Sequence, residues 1–153
     1  MCKILVDADA CPVKEQIFNV GFRFNVNIIL VANSYFRIPE TPIIEFKLVD
    51  MGFDAADNWI AKNTNLSSIV ITSDILLAER CLKIGTFSVI SPYGTIFSKQ
   101  NIGTSISDRA IKADLRGGIE NYSDVQHSFG KKTKEKFINL LNKELTNLFK
   151  HKP

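Results

Sequence analysis

Short apolar runs alternate along the chain with segments whose apolar residues recur at helical spacing. The apolar runs have the length of strands covered on both faces, and they lie at residues 3–6, 27–32, 43–49, 69–71 and 87–90. The segments with helical spacing lie at residues 12–21, 54–61 and 73–85. This alternation predicts an α/β fold: one three-layer domain in which helices flank a mostly parallel sheet of about five strands.

Residue types at the ends of these segments support the predicted boundaries. Pro12 and Gly21 bracket the first helix, and Gly85 follows the third. Pro39 and Pro42 precede the run at 43–49, which favours a strand at the edge of the sheet.

The C-terminal third predicts two further helices. One spans Ser107 to Arg116 and stops at a pair of glycines. The other is a long amphipathic and basic helix over 131–150, which we expect to pack on a single domain of residues 1–153. Its apolar stripe consists of Phe137, Leu140, Leu141, Leu145 and Leu148.

Composition excludes several classes of protein. The chain has 153 residues, of which 45% are hydrophobic and 23% charged, which suits one globular domain and argues against disorder. The three cysteines form no C-x-x-C pair, which argues against a disulfide framework or a zinc finger and favours a reducing compartment. We therefore expect a cytoplasmic protein, because no apolar run reaches membrane-spanning length and Asp7 comes too early for a signal peptide.

The net charge of +3 is unevenly distributed. Residues 131–153 carry seven lysines and two glutamates, a local charge of +5, so residues 1–130 carry −2. A basic end on an acidic body is compatible with contact to nucleic acid, although such a helix is more often simply solvated.

Aspartates cluster after the predicted strands. Asp7 and Asp9 follow the first strand, Asp54 and Asp57 open the helix after the third, and Asp74 follows the fourth. The carboxyl ends of parallel strands share one edge of a sheet, where ligands bind in such folds. We therefore expect Asp7, Asp57 and Asp74 to converge.

Converging carboxylates need compensation, because two of them about 4 Å apart repel by roughly 4 kcal/mol at an effective dielectric of 20. Mg²⁺ or Mn²⁺ would fit, since both prefer carboxylate oxygens. A purely structural alternative remains open for Asp54 and Asp74, because an acid at either position can cap its helix. Asp57 would also be favourable near the positive end of its helix.

Several motifs resemble the YaiI/YqxD family of uncharacterised bacterial proteins, over about residues 1–149. They are V-D-A-D-A-C-P-V at 6–13, L-V-A-N at 30–33, G-F-D-A-A-D at 52–57, I-T-S-D-I-L-L-A at 71–78 and N-I-G at 101–103. The architecture of this family is similar to the PIN-like, Rossmann-like group of metal-dependent nucleases. In that group, acids follow the first strand, occupy a middle helix and follow a strand ending in T-x-D.

The resemblance implies a metal-dependent nuclease that uses Mg²⁺ or Mn²⁺ and acts on RNA or DNA, of which RNA is the favoured substrate. Asp7, Asp57 (or Asp54) and Asp74 correspond to the three family acids, and Asp9 is an addition. The candidate catalytic residues are Asp7, Asp9, Asp57 and Asp74. The candidate metal ligands are these four and Asp54. The candidate substrate-binding residues are the two hydroxyl residues of the T-x-D segment and several basic residues that could contact phosphates. They are Thr72, Ser73, Lys14, Arg80, Arg109, Lys131 and Lys132.

Three other functions are compatible with the sequence. The pair Asp7 and Asp9 also occurs in haloacid-dehalogenase-like phosphatases, as nucleophile and acid/base. Cys11 could be a nucleophile at a helix start, although the neighbouring aspartates oppose a thiolate. A non-catalytic module could bind nucleic acid or protein through the basic helix and a structural or degenerate metal site, with 35–37 (Y-F-R) as an exposed aromatic and basic cluster.

Overall fold

The computed structural model describes residues 2–9, 11–52, 54–102 and 130–150, and within these ranges the chain alternates strands and helices as the apolar pattern predicts. The strands are β1 (Lys3–Asp7), β2 (Asn27–Ala32), β3 (Ile44–Leu48), β4 (Ser68–Ile71), β5 (Ser88–Ile90) and β6 (Ile96–Phe97). The helices are α1 (Lys14–Phe24), α2 (Ala55–Asn63), α3 (Ile75–Ile84) and α4 (Lys131–Lys150). The helix predicted over 107–116, which contains Arg109, lies outside the described residues.

The strands form one sheet in the order β3-β2-β1-β4-β5-β6. Neighbours from β3 through β5 are parallel, and β6 is antiparallel to β5. The mostly parallel sheet is therefore confirmed, with β3 at one edge as its preceding prolines indicate. The two-residue strand β6 is an addition, and a segment this short has no readable periodicity.

Alternate residues of the strands pack into two layers of core, one on each face of the sheet. On one face, Ile4 and Val6 of β1 join a core with residues of α1 and α4. On the other face, Leu5 joins a core with residues of α2 and α3. This arrangement confirms the three-layer α/β domain, because a sheet that buries both faces needs helices on both.

Helix α4 packs beside α1 and runs from the carboxyl edge of the sheet to the amino edge. Its predicted apolar stripe faces the core, where Phe137 is completely buried. Near its start, a Cβ added at Gly94, in the turn after β5, would lie 3.1 Å from the backbone of Lys136. Near its end, the ring of Phe149 stacks on Phe24 at a centroid distance of 5.9 Å. The first turn of α4 therefore lies towards the carboxyl edge.

The end of α1 differs from the prediction. The helix continues past Gly21 and ends at Asn25, whose left-handed φ of 52° provides the cap. Gly21 instead lies close to β2, where an added Cβ would meet the terminal methyl group of Ile28 and that side chain would have to shift. A glycine near a helix end was thus wrongly interpreted as a terminator, and its real constraint is a close approach between helix and strand.

The predicted end of α3 is confirmed. Gly85 ends α3 with a left-handed φ of 108°. All three cysteines are free and buried. None of the helices in the described ranges combines the length and apolar character that crossing a bilayer requires.

Candidate functional site

Adjacent strands β1 and β4 bring Asp7 and Thr72 side by side. The two strands pair in parallel, with Val6 opposite Ile71, so the residues that follow these lie at the same edge. The buried hydroxyl of Thr72 donates a hydrogen bond to Oδ2 of Asp7 at 2.9 Å. The same hydroxyl accepts the backbone N–H of Asp74 at 3.0 Å. Thr72 therefore orients the carboxylate of Asp7 and holds the backbone at Asp74 beside it, and its oxygen is already engaged within the protein.

Asp74 caps α3. Its Oδ1 accepts the backbone N–H groups of Leu76 at 2.9 Å and Leu77 at 3.3 Å, which satisfies two donors that a helix N-terminus leaves unpaired. No hydrogen bond from a described residue reaches its Oδ2. The structural role predicted for Asp74 is therefore present, and one carboxylate oxygen remains for a ligand.

Asp57 lies in the first turn of α2, and its pKa is affected by the charges of the other acids. Burial, followed by the negative charges of Asp74, Asp7 and Asp54, raises its pKa from the ordinary value of 3.8 to about 6. The positive charge of Arg80 opposes the rise and is the weakest of the contributions. Helix α2 packs beside α3 and against β1, the two elements that carry or precede Asp74 and Asp7, so its first turn meets these charges.

Asp7 shows the same effect. Burial raises its pKa most, the hydrogen bond from Thr72 lowers it, and the charges of Asp74 and Asp9 raise it further. Because Asp7 and Asp57 both respond to Asp74, the three acids predicted to converge share one electrostatic environment at the carboxyl edge.

Asp9 points to a different partner. Its carboxylate accepts the backbone N–H of Asn33 at 3.1 and 3.2 Å, which ties the loop after β1 to the end of β2. Nothing in the sequence signals this contact, because the donor is a main-chain group. Asp9 thus has a structural role as well as its contribution to the charge around Asp7.

The predicted substrate-binding residues lie on several sides of the acids. Ser73 is exposed in the loop between Thr72 and Asp74. Arg80 is exposed on α3 and donates a hydrogen bond to Oδ1 of Asn58 at 3.0 Å. Asn58 was not among the predicted residues, although it directly follows Asp57, and its contact holds Arg80 next to α2.

Three further basic candidates lie on the α1 and α4 side of the sheet. Lys14 donates to the carbonyl of Cys11 at 3.0 Å and lies 4.6 Å from the ring centroid of Phe36. Lys131 and Lys132 are exposed in the first turn of α4. Arg109 lies outside the described residues, so its position stays a prediction.

Cys11 is poorly suited to nucleophilic chemistry. Its side chain is buried, and this burial raises the pKa of the thiol more than the nearby Val13 backbone and Lys14 lower it. The nucleophilic form of cysteine is the thiolate, so the thiol is inert near neutral pH.

The donor chemistry at this edge fits a hard divalent cation. Carboxylate oxygens are the ligands that Mg²⁺ and Mn²⁺ prefer, and burial together with the neighbouring negative charges raises the pKa of both Asp7 and Asp57. However, in the ranges that the structure describes, no group of three or more His, Cys, Asp or Glu side chains forms a ready-made metal site. The acids therefore match a cation in charge and ligand type, and they would have to draw together to hold it.

Comparisons with known proteins agree with the sequence motifs. The family described as "Uncharacterized BCR, YaiI/YqxD family" matches residues 5–147. A UPF0178 protein of Sphingopyxis alaskensis is 47% identical over 145 residues, which cover 95% of this chain and 94% of the relative. UPF0178 proteins of Bradyrhizobium diazoefficiens and Nitrobacter winogradskyi are each 40% identical over 146 residues, covering 95% of this chain and 86% and 92% of the relatives.

The search of solved structures found no significant match. The family match covers most of the chain, and the relatives align over nearly their full length. The chain therefore belongs to the YaiI/YqxD family, whose members carry the name UPF0178.

Proposed function

We propose that this protein is a metal-dependent nuclease that hydrolyses phosphodiester bonds, with RNA as the preferred substrate. The observation that supports this most is the partial burial of Asp7 and Asp57 next to Asp74, because burial first and the charges of the neighbouring acids second raise the pKa of both carboxyls. Buried carboxyls with raised pKa values at the carboxyl edge of a parallel sheet are typical of functional sites, because ligands bind at this edge and acid–base or metal chemistry uses such perturbed groups.

In this proposal, Asp7, Asp57 and Asp74 would hold Mg²⁺ or Mn²⁺, which when bound would make a water molecule more acidic and offset negative charge on the phosphoryl oxygens. Thr72 is a positioning residue, since its hydroxyl bonds Asp7 and the backbone of Asp74. In the net reaction, a water oxygen bonds to phosphorus, the bond from phosphorus to the leaving oxygen breaks, and that oxygen takes up a proton.

The basic residues around the acids suit a polyanionic substrate. Ser73 and Arg80 lie beside the aspartates and can donate hydrogen bonds to phosphate oxygens. Lys131 and Lys132 extend the positive charge towards the carboxyl edge from the first turn of α4. Because α4 has no acid in its first turn, these lysines add to the positive end of the helix dipole.

Cleavage of labelled single-stranded RNA with Mn²⁺ tests the proposal. We expect the wild type to form product and the Asp7→Asn variant to lose activity on the order of 100-fold or more, since it removes one ligand charge and keeps the acceptor for Thr72. Glu45→Gln on the exposed edge strand β3 is the matched control and should retain full activity. Cleavage that is insensitive to EDTA, or equal in wild type and Asp7→Asn, would contradict the proposal.

A non-catalytic nucleic-acid-binding module is the second candidate. The observation that favours it is the lack, within the described ranges, of three metal-type side chains already arranged around one point. RNA binding that persists in EDTA, with no product at any Mn²⁺ or Mg²⁺ concentration, would support the binding module over the nuclease.

A further inference from the structure

A long groove lies between α1 and the connection from β2 to β3. It has a volume of about 1000 Å³ and is open to solvent. One wall is the first half of α1, including Lys14 and Phe18, and the other is the extended segment 35–41. The groove is thus bounded by the aromatic and basic cluster at 35–37.

Tyr35 presents an aromatic ring to solvent at this groove. Its side chain is 71% exposed, although the ring contacts Phe46 at a centroid distance of 5.1 Å. Phe46 in turn meets Phe36 edge to face at 4.8 Å. These ring contacts hold Tyr35 in place while most of its side chain stays exposed. An exposed ring held in this way can stack on a planar ligand.

The charges of the groove indicate which planar ligand fits. Lys14 and Arg37 are balanced by Glu15 and Glu40, so the charged side chains lining the groove sum to zero. Binding of duplex nucleic acid depends mainly on neutralising many phosphates, which this groove does not provide. The exposed ring of Tyr35 instead favours a single strand, because unpaired bases can stack on an aromatic ring, and Lys14 and Arg37 can each pair with an individual phosphate.

The groove also begins next to the aspartates. The segment that carries Tyr35 starts at Asn33, whose backbone N–H binds the carboxylate of Asp9. Asp9 follows β1 two residues after Asp7 and contributes to the charge around it. A strand that lies in the groove therefore has one end at the carboxyl edge where the acids converge.

We propose that this groove binds single-stranded nucleic acid, with an unpaired base stacked on Tyr35 and the adjoining phosphates paired with Lys14 and Arg37. This inference rests on the proposed function for the class of substrate and deepens it by selecting single strands over duplexes. Tyr35 is then a substrate-binding residue outside the acidic site.

Fluorescence anisotropy with a labelled oligouridylate, measured in EDTA, tests this inference without requiring cleavage. We expect Tyr35→Ala to weaken binding about tenfold or more, since stacking of one base on an aromatic ring has that magnitude. Tyr35→Phe keeps the ring and should bind like the wild type. Phe22→Ala removes an aromatic side chain that is 46% exposed near the opposite end of α1, and it should leave binding unchanged.

Thermal unfolding checks that each variant is folded, and a duplex of equal length provides the comparison for strandedness. The inference is overturned if Tyr35→Ala binds the single strand as well as Phe22→Ala does, or if the duplex binds more tightly than the single strand. If the wild type cleaves RNA but Tyr35→Ala binds the single strand as tightly as the wild type does, the groove proposal is rejected and the nuclease proposal stands. If Tyr35→Ala weakens binding but the wild type does not cleave RNA, the groove proposal stands and the nuclease proposal is rejected.

Discussion

Two helix starts at the carboxyl edge have the same sequence signal and different physical roles. Asp74 precedes α3 and Asp54 precedes α2, and both are aspartates at the N-cap position. Asp74 accepts two backbone N–H groups, whereas the side chain of Asp54 makes no cap hydrogen bond. One turn further on, α2 carries Asp57, whose pKa rises to about 6 next to the other acids.

This difference separates acids that stabilise the fold from acids that strain it. The charge of Asp74 is offset by the N–H groups at the start of α3. The charge of Asp57 gains no hydrogen bond from a described residue. Its burial, followed by repulsion from Asp74 and Asp7, disfavours the ionised form and lowers stability near neutral pH. A carboxylate with an energetic cost and no structural benefit is the better candidate for function.

Thr72→Val should have the largest effect on stability, because Thr72 links the two acids. The change removes the donor to Asp7 and leaves the backbone N–H of Asp74 without its acceptor. We expect the free energy of unfolding to fall by about 2 kcal/mol. Urea denaturation measures it, and a loss below about 0.5 kcal/mol would show that the linkage contributes little.

Asp74→Ala should destabilise the protein by about 1 kcal/mol through loss of the α3 cap. Asp74→Asn is the matched control, because it keeps an oxygen acceptor and removes the charge that repels Asp57. We expect Asp74→Asn to be at least as stable as the wild type in urea denaturation at neutral pH. Equal destabilisation by both variants would mean that the charge, and not the cap, stabilises this helix start.

Asp57→Asn should increase the free energy of unfolding by about 1 kcal/mol at neutral pH, a figure reduced for solvent screening of the partly exposed carboxyl. The gain should vanish in acid. The folded wild type binds a proton at Asp57 with a pKa of about 6, and the unfolded chain does so at 3.8, so wild-type stability falls as pH rises through this interval.

Urea denaturation of both proteins across this pH interval measures the effect of Asp57→Asn. A variant that is less stable than the wild type at neutral pH would contradict the repulsion among the acids. So would a difference between the two proteins that stays constant with pH.

Asp54→Ala should have the smallest effect, within about 0.5 kcal/mol, because Asp54 is exposed and its side chain makes no cap hydrogen bond. The same denaturation experiment compares it directly with Asp74→Ala. A loss as large as that of Asp74→Ala would erase the distinction between the two helix starts.

Much of the fold could be predicted because burial on both faces of a sheet leaves a strong signal. The continuous apolar runs of β1, β2 and β4 and the stripe of α4 predicted strands and a helix where the structure has them. The end of α1 could not be predicted, because Gly21 serves a contact with β2 that is distant in sequence. Burial of Glu144, which accepts the hydroxyl of Ser88 at 2.6 Å, was hidden for the same reason.

The candidate site was predictable in part. Acids at strand ends indicated the edge, since parallel topology brings these ends together, and the coupling of Asp7 with Asp57 agrees with this. The role of Asp9 could not be predicted, because it depends on the backbone N–H of Asn33. The role of Asp54 could not be predicted either, because residue type does not show that its side chain makes no cap hydrogen bond. Residue type predicts which edge of the sheet carries the acidic side chains, and local geometry determines which of these side chains receive hydrogen bonds from the protein.

Anomalous diffraction from a crystal soaked in Mn²⁺ tests the central claim most directly, because it shows where a cation binds irrespective of substrate. The account predicts an anomalous peak in contact with the carboxylates of Asp7, Asp57 and Asp74. A soaked crystal with no peak among these three side chains would contradict it.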